Sequence, residues 1–246
     1  MNVVGVIPSR YGSTRLPAKA LALIGGKPMV QHVYEQAKRA TMLDEVLVAT
    51  DDERIAQAVA KFGGRAMMTN AAHRSGTERV AEVARQLDAH VFLNIQGDEP
   101  LIRPEPINHI AQFLLAHRAV PMATVMTKLT HSEDIQNPHV VKVVVDEDGY
   151  ALYFSRAPIP YKRGESSQPL AYWKHLGLYG YQRHFLLQYP HLAPTQLEHA
   201  EQLEQLRVLG HGHKIKVLET PFDSVGVDTA EDLQRVEQAL VSETKR

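Results

Sequence analysis

The stretch NVVGVIPSRYGSTRLPAKAL, residues 2–21, decides how the rest of the chain is read. Its first half is short, β-branched and without polar alternation, the pattern of a strand buried on both faces. Its second half is a loop carrying three cations, Arg10, Arg15 and Lys19, with Gly12 as its only glycine. The loop lacks the G-x-G-x-x-G spacing of a dinucleotide fingerprint. It also lacks the second glycine of a P-loop before its lysine. Backbone amides cannot wrap a phosphate in those ways, so side chains would have to: arginine grips two oxygens and lysine supplies a point charge. One cation in a loop reads as solvated surface, whereas three directly after a buried first strand read as a site for a polyanion.

Working outward, KPMVQHVYEQAKRA (27–40) repeats apolar residues at helical spacing behind Pro28. EVLVAT (45–50) is a second buried strand, and DDERIAQAVAKFGG (51–64) a helix with early acids and a glycine stop. RAMMT (65–69) reads as a short strand, and Ser75 with Glu78 has capping-box spacing for a helix to residue 87. HVFLNI (90–95) is the next strand, followed by a helix over 105–117. Strand, loop and helix in alternation predict an α/β fold with a mostly parallel, Rossmann-like sheet flanked by helices.

The middle section, 118–205, changes character. VVKVVVDEDGYALYFS (140–155) is a hairpin around Asp148-Gly149, and PIPYKRGESSQPLAYW (158–173) a Pro-, Ser- and Gly-rich loop. HLGLYGYQ (175–182) is a strand. Thr195 with Glu198 opens a helix expected to run through residue 209. KIKVLET (214–220) is a strand, and a last helix is capped by Asp228 or Thr229. The expectation is one domain over 1–246 with a β-rich insert. HGH at 211–213, flanked by glycines and without a neighbouring acid, reads as a turn rather than a zinc site.

Composition narrows the function. A formal net charge of −1 gives no global field for nucleic acid or an anionic membrane, so anion binding must be local. No apolar run approaches a membrane span and the N-terminus lacks a signal-peptide pattern. The absence of cysteine excludes disulfides and fits a reducing compartment, so a cytoplasmic location is expected. A polyphosphate site usually adds Mg²⁺ held by one or two carboxylates. Asp98 in NIQGDEP (94–100) and Asp228 in SVGVDTAED sit where strands should end. Either has a plainer explanation, a turn residue beside Gly97 for Asp98 and a helix N-cap for Asp228.

The first loop, SGTER (75–79), NIQGDEP, YFSRAPIPY (153–161), HLGLYGY, LEQLRVL (203–209) and GVDTAEDL (226–233) together closely resemble the bacterial 3-deoxy-manno-octulosonate cytidylyltransferases, the CMP-Kdo synthetases. Seven motifs lie in order across nearly the whole chain. The sequence departs at Ala18 and Ala20, where that family usually reads Gly and Pro, and Ala18 restricts the backbone there. The resemblance implies condensation of CTP with the acid sugar Kdo to CMP-Kdo and pyrophosphate, a step of lipopolysaccharide biosynthesis.

It also implies roles. Asp98 and Asp228 would hold Mg²⁺, with Arg15, Lys19 and Asp98 catalytic. Arg10, Arg15, Lys19, Ser75 and Arg79 would meet the nucleotide. Gln96, Arg156, His175, Tyr179, Glu204 and Gln205 would meet the sugar, and section 118–205 would form a homodimer. Some of these have plainer readings: Glu204 or Gln205 as helix surface, Tyr179 as packing, His175 as a strand-edge histidine. Rival activities are activation of another acid sugar (sialic acid or amino-Kdo), a glycosyltransferase that binds nucleotide sugars, and a nucleotide-binding regulator. GDEP in place of an Asp-x-Asp motif argues against the glycosyltransferase.

Overall fold

A computed structural model describes residues 1–12, 16–164 and 170–244, with side chains through 240. In chain order the elements are β1 (Val3–Ser9), β2 (Leu23–Ile24), β3 (Lys27–Pro28), α1 (Met29–Lys38), β4 (Glu45–Thr50), α2 (Glu53–Lys61), β5 (Ala66–Met68) and α3 (Gly76–Gln86). Then come β6 (Val91–Asn94), α4 (Pro104–Ala116), β7 (Met122–Lys128), α5 (Ser132–Gln136), β8 (Lys142–Val145) and β9 (Ala151–Ser155). The chain closes with β10 (Trp173–Gln182), α6 (Arg183–Gln188), α7 (Gln196–Glu201), α8 (Gln205–Gly210), β11 (Ile215–Glu219) and α9 (Ala230–Thr244).

The main path of the sheet runs β11-β7-β10-β6-β1-β4-β5. Pairing is parallel in β11–β7, β6–β1, β1–β4 and β4–β5, and antiparallel only where β10 meets β6 and β7. The β8–β9 hairpin hangs from β10. The sheet is thus mostly parallel with a β-rich middle.

The apolar run of β1 faces two cores. Val3 and Ile7 pack with Val30, Val33, Ile55, Ile107 and Ile110 on one side, and Val4 and Val6 with Val80, Val83, Phe185 and Leu206 on the other. Alternate side chains point to opposite faces of a strand, so a strand covered by helices on both faces must be apolar throughout. On β10, Gly180 lets α4 approach, because a Cβ there would lie 2.3 Å from Ile110 Cγ2.

The short elements β2, β3, α5 and α6 are absent from the sequence reading, and two larger differences have clear causes. β7 was not foreseen: its buried Thr124 and Thr127 interrupt the apolar run, and its strand character comes from pairing with β10 and β11. The helix expected over 195–209 is broken, because Gln202 adopts the left-handed conformation (φ 53°) between α7 and α8. The capping box that starts it forms as read, with Thr195 Oγ1 accepting from Glu198 N at 3.2 Å and Glu198 accepting from Thr195 N. At HGH, Gly212 takes a positive φ of 77°, His211 bonds the Ala193 carbonyl and His213 packs edge-on against Phe185. That is a turn.

Ala18 also sits in the left-handed region (φ 53°, ψ 32°), just before a 3₁₀ turn at Lys19–Leu21. A Cβ in this region costs roughly 1–2 kcal/mol, partly offset by the greater unfolded-state freedom of glycine. Ala18→Gly is therefore expected to raise Tm by about 2 °C in a chain of this size. A calorimetric Tm at or below that of the original protein would show that no strain is stored there.

Candidate active site

The carboxyl ends of β1 and β6 open onto a cleft of about 320 Å³, lined among others by Arg10, Lys19, Ser75, Arg79, Gln96, Asp98, Glu204 and Asp228. Crevices outside strand carboxyl ends are where open α/β sheets bind ligands.

Its centre is Lys19. The ammonium reaches Asp98 Oδ2 at 2.5 Å and Asp228 Oδ1 at 3.0 Å. Local structure explains why both acids are available. Gly97 and Asp98 form a turn after β6, and Val227 N donates to the Asp98 carbonyl at 2.8 Å, stitching the two segments together. The cap of α9 is Thr229, whose Oγ1 accepts from Asp232 N at 3.1 Å while Asp232 accepts from the amides of Asp228 and Thr229. This resolves the choice between Asp228 and Thr229: the carboxylate of Asp228 turns to Lys19 instead of capping.

Cations flank this centre. Arg10 and Arg74 are exposed at the cleft. Arg79 lines it but is buried and committed to Asp51, 2.8 Å away, and to Thr69 Oγ1. Ser75 Oγ accepts from Glu78 N at 3.3 Å as the cap of α3. The Glu78 carboxylate goes to Arg74 N, so only half of the expected capping box forms. Glu204 accepts from Thr77 Oγ1 at 3.0 Å, and burial raises its pKa. Gln96 Nε2 donates to the Gly177 carbonyl at 2.9 Å, where β10 carries a bulge.

Arg156, His175, Tyr179 and Gln205 are not among the residues that line the cleft. Arg15 falls outside the described residues. Arg156 donates Nε to the Glu201 carbonyl at 2.8 Å and Nη1 to the Pro138 carbonyl at 3.0 Å, binding β9 to the break between α7 and α8. Tyr179 donates to Gln205 Oε1 at 3.2 Å. His175 is buried, stacked edge-on against Phe154. Thr124 Oγ1 spends its one proton on the Leu178 carbonyl at 2.8 Å. His175 Nε2, 3.0 Å away, must therefore donate to it, which assigns the neutral Nε2–H tautomer. Sequence reasoning missed His73, Arg74 and Ser9 among the lining residues. The first two adjoin Ser75, and Ser9 stands inside the motif that opens the chain.

Burial pushes the His175 pKa down to about 3 from an ordinary 6.5. The unfolded chain takes up a proton below pH 6.5 that the folded chain refuses, so stability falls as pH drops from 6.5 towards 3. The slope is about 1.4 kcal/mol per pH unit for one proton. His175→Gln keeps a donor and removes the titration. Its urea-derived stability between pH 6 and 4 is expected to fall less steeply by about one proton; parallel slopes would show that His175 is protonated in the folded state.

The donor set fits Mg²⁺. Among the described residues no cluster of three or more His, Cys, Asp or Glu is placed to hold a metal ion. Two carboxylates that already share one cation suit Mg²⁺, which takes one or two carboxylates and completes its shell with water and substrate phosphate.

The family model described as cytidylyltransferase matches residues 4–215, which sets the class: the chain is a nucleotidyltransferase. Two curated relatives, from Geotalea uraniireducens and Geotalea daltonii, are each 52 % identical over 249 aligned residues. The alignments cover 98 % of this chain and 99 % and 98 % of the relatives, and both are named 3-deoxy-manno-octulosonate cytidylyltransferase. A solved structure of CMP:2-keto-3-deoxy-manno-octonic acid synthetase complexed with CTP superposes with a TM-score of 0.94 at 44 % identity, covering 99 % of this chain and all of that one (100 %). The chain belongs to the 3-deoxy-manno-octulosonate cytidylyltransferase family.

Proposed function

We propose that this enzyme transfers the cytidylyl group of CTP to Kdo, forming CMP-Kdo and pyrophosphate for lipopolysaccharide biosynthesis. The observation that carries the reading is Lys19, held between Asp98 at 2.5 Å and Asp228 at 3.0 Å in the cleft at the sheet's carboxyl ends. In the reaction the anomeric hydroxyl gives up its proton to solvent as its oxygen bonds the α-phosphorus, the bond from that phosphorus to the bridging oxygen breaks, and pyrophosphate leaves. A carboxylate-bearing nucleophile must approach a phosphorus ringed by negative oxygens. Catalysis is then mainly positioning and charge neutralisation.

Lys19, with Arg10 and Arg15, neutralises the phosphates, and Ser75 and Arg79 shape the nucleotide side. Gln96 and Glu204, both at the cleft, offer hydrogen bonds to sugar hydroxyls. Tyr179 and Gln205 support them from behind, and Arg156 and His175 order the surrounding backbone and core. Asp98 and Asp228 would hold Mg²⁺, which supplies Lewis-acid charge stabilisation at the phosphates.

The same reading takes 1–246 as one domain in a cytoplasmic homodimer joined through 118–205. The dimer is supported by β9, which pairs only with β8 among the described strands and carries Leu152 at 61 % exposure. An open strand edge with an exposed leucine calls for cover. The test is pyrophosphate release with each nucleoside triphosphate crossed against Kdo and sialic acid in Mg²⁺. Turnover confined to CTP with Kdo is expected; turnover only of the other sugar, or none, would refute the assignment.

A further inference from the structure

Glu99 stands beside Asp98 in the turn after β6, and the account above gives it no role. Its Oε2 accepts from Ser224 Oγ at 2.6 Å, across 125 residues of sequence. The other oxygen, Oε1, lies against β10, 3.5 Å from where a Cβ on Gly177 would sit. Lys174, also on β10, holds the same serine by its main chain. Its Nζ donates to the Ser224 carbonyl at 3.2 Å and to Asp223 Oδ1 at 2.7 Å. Side chain and main chain of Ser224 are thus both fixed.

Between β11 and α9, residues 220–229 form neither helix nor strand. No ladder or helical turn therefore sets where Asp228 points. Among the described residues, two hydrogen bonds tie this segment to the turn that carries Asp98: Val227 N to the Asp98 carbonyl at 2.8 Å, and Ser224 Oγ to Glu99. A segment held by one bond can pivot about it, whereas a second bond fixes its direction. We infer that Glu99 and Ser224 are positioning residues for the reaction: their bond holds the 220–229 segment against the turn, so that Asp228 stays beside Asp98 where the two can share a divalent cation. Hydrogen bonds behind metal-binding carboxylates fix their orientation and tune affinity in this way. The inference rests on the assignment of Asp98 and Asp228 to Mg²⁺ in the proposed function.

The test is calorimetric titration of CTP into the protein without sugar, in Mg²⁺ and again in EDTA. Ser224→Ala is expected to weaken CTP binding in Mg²⁺ roughly 3- to 10-fold, the worth of one hydrogen bond. Binding in EDTA should not change, because the cations of the cleft are untouched. The bonds from Val227 and Lys174 remain, so the variant should fold. On a Glu99→Ala background the same substitution should cost nothing further, since the bond is already broken. An equal loss in both media overturns the inference by showing a cleft disturbed as a whole. No loss in Mg²⁺, or a further loss on the Glu99→Ala background, overturns it as well. An unsubstituted protein that binds CTP equally in Mg²⁺ and EDTA overturns instead the metal assignment on which the inference rests.

Discussion

Asp98→Asn is expected to cut pyrophosphate release by roughly 10²–10³-fold, the loss typical of removing one group that stabilises developing charge. The substitution preserves shape and removes the carboxylate charge that Lys19 meets at 2.5 Å. Val227 N donates to the main-chain carbonyl of residue 98, which the substitution leaves in place, so the turn should persist. CTP binding, which the proposed function also assigns to the arginines at the cleft, should survive in part. Single-turnover release of pyrophosphate beside equilibrium CTP binding separates the two effects. Equal losses in both would assign Asp98 to binding alone.

Lys19→Met gives the second large effect, with an opposite sign in one measurement. Pyrophosphate release should again fall by about 10²–10³-fold, because the thioether side chain fills the space without neutralising phosphate. The ammonium also occupies the oxygens of Asp98 and Asp228 in the free protein. Without it, two carboxylates are left facing one another, which favours a divalent cation. Mn²⁺ titrated into nucleotide-free protein and followed by electron paramagnetic resonance should bind the variant more tightly than the original. Unchanged or weaker Mn²⁺ binding would mean that lysine and metal do not share these acids.

These outcomes depend on a contact that spans 79 residues to Asp98 and 209 to Asp228. Nothing local in the sequence encodes that convergence. What was local was readable: the two-faced burial of β1, the periodicity of α1 to α4, the hairpin at Asp148-Gly149 and the Thr195 cap. Motif resemblance named the aspartates as a pair. It also named His175, Tyr179 and Arg156, which in the fold bond to Thr124, Gln205 and main-chain carbonyls. A motif records which residue stands at a position, whereas side-chain direction on β10 is set by its bulge and by which neighbours it pairs with.

By itself the sequence determined the α/β class, most element types and the gathering of cations in the first loop, because hydrophobic period, turn chemistry and charge are short-range properties of the chain. Only the tertiary structure decided that β10 runs antiparallel, that α7 and α8 are separate helices, and that Thr229 rather than Asp228 caps α9. Each depends on long-range pairing and packing, where partners far apart in sequence compete for the same hydrogen bonds and the same space.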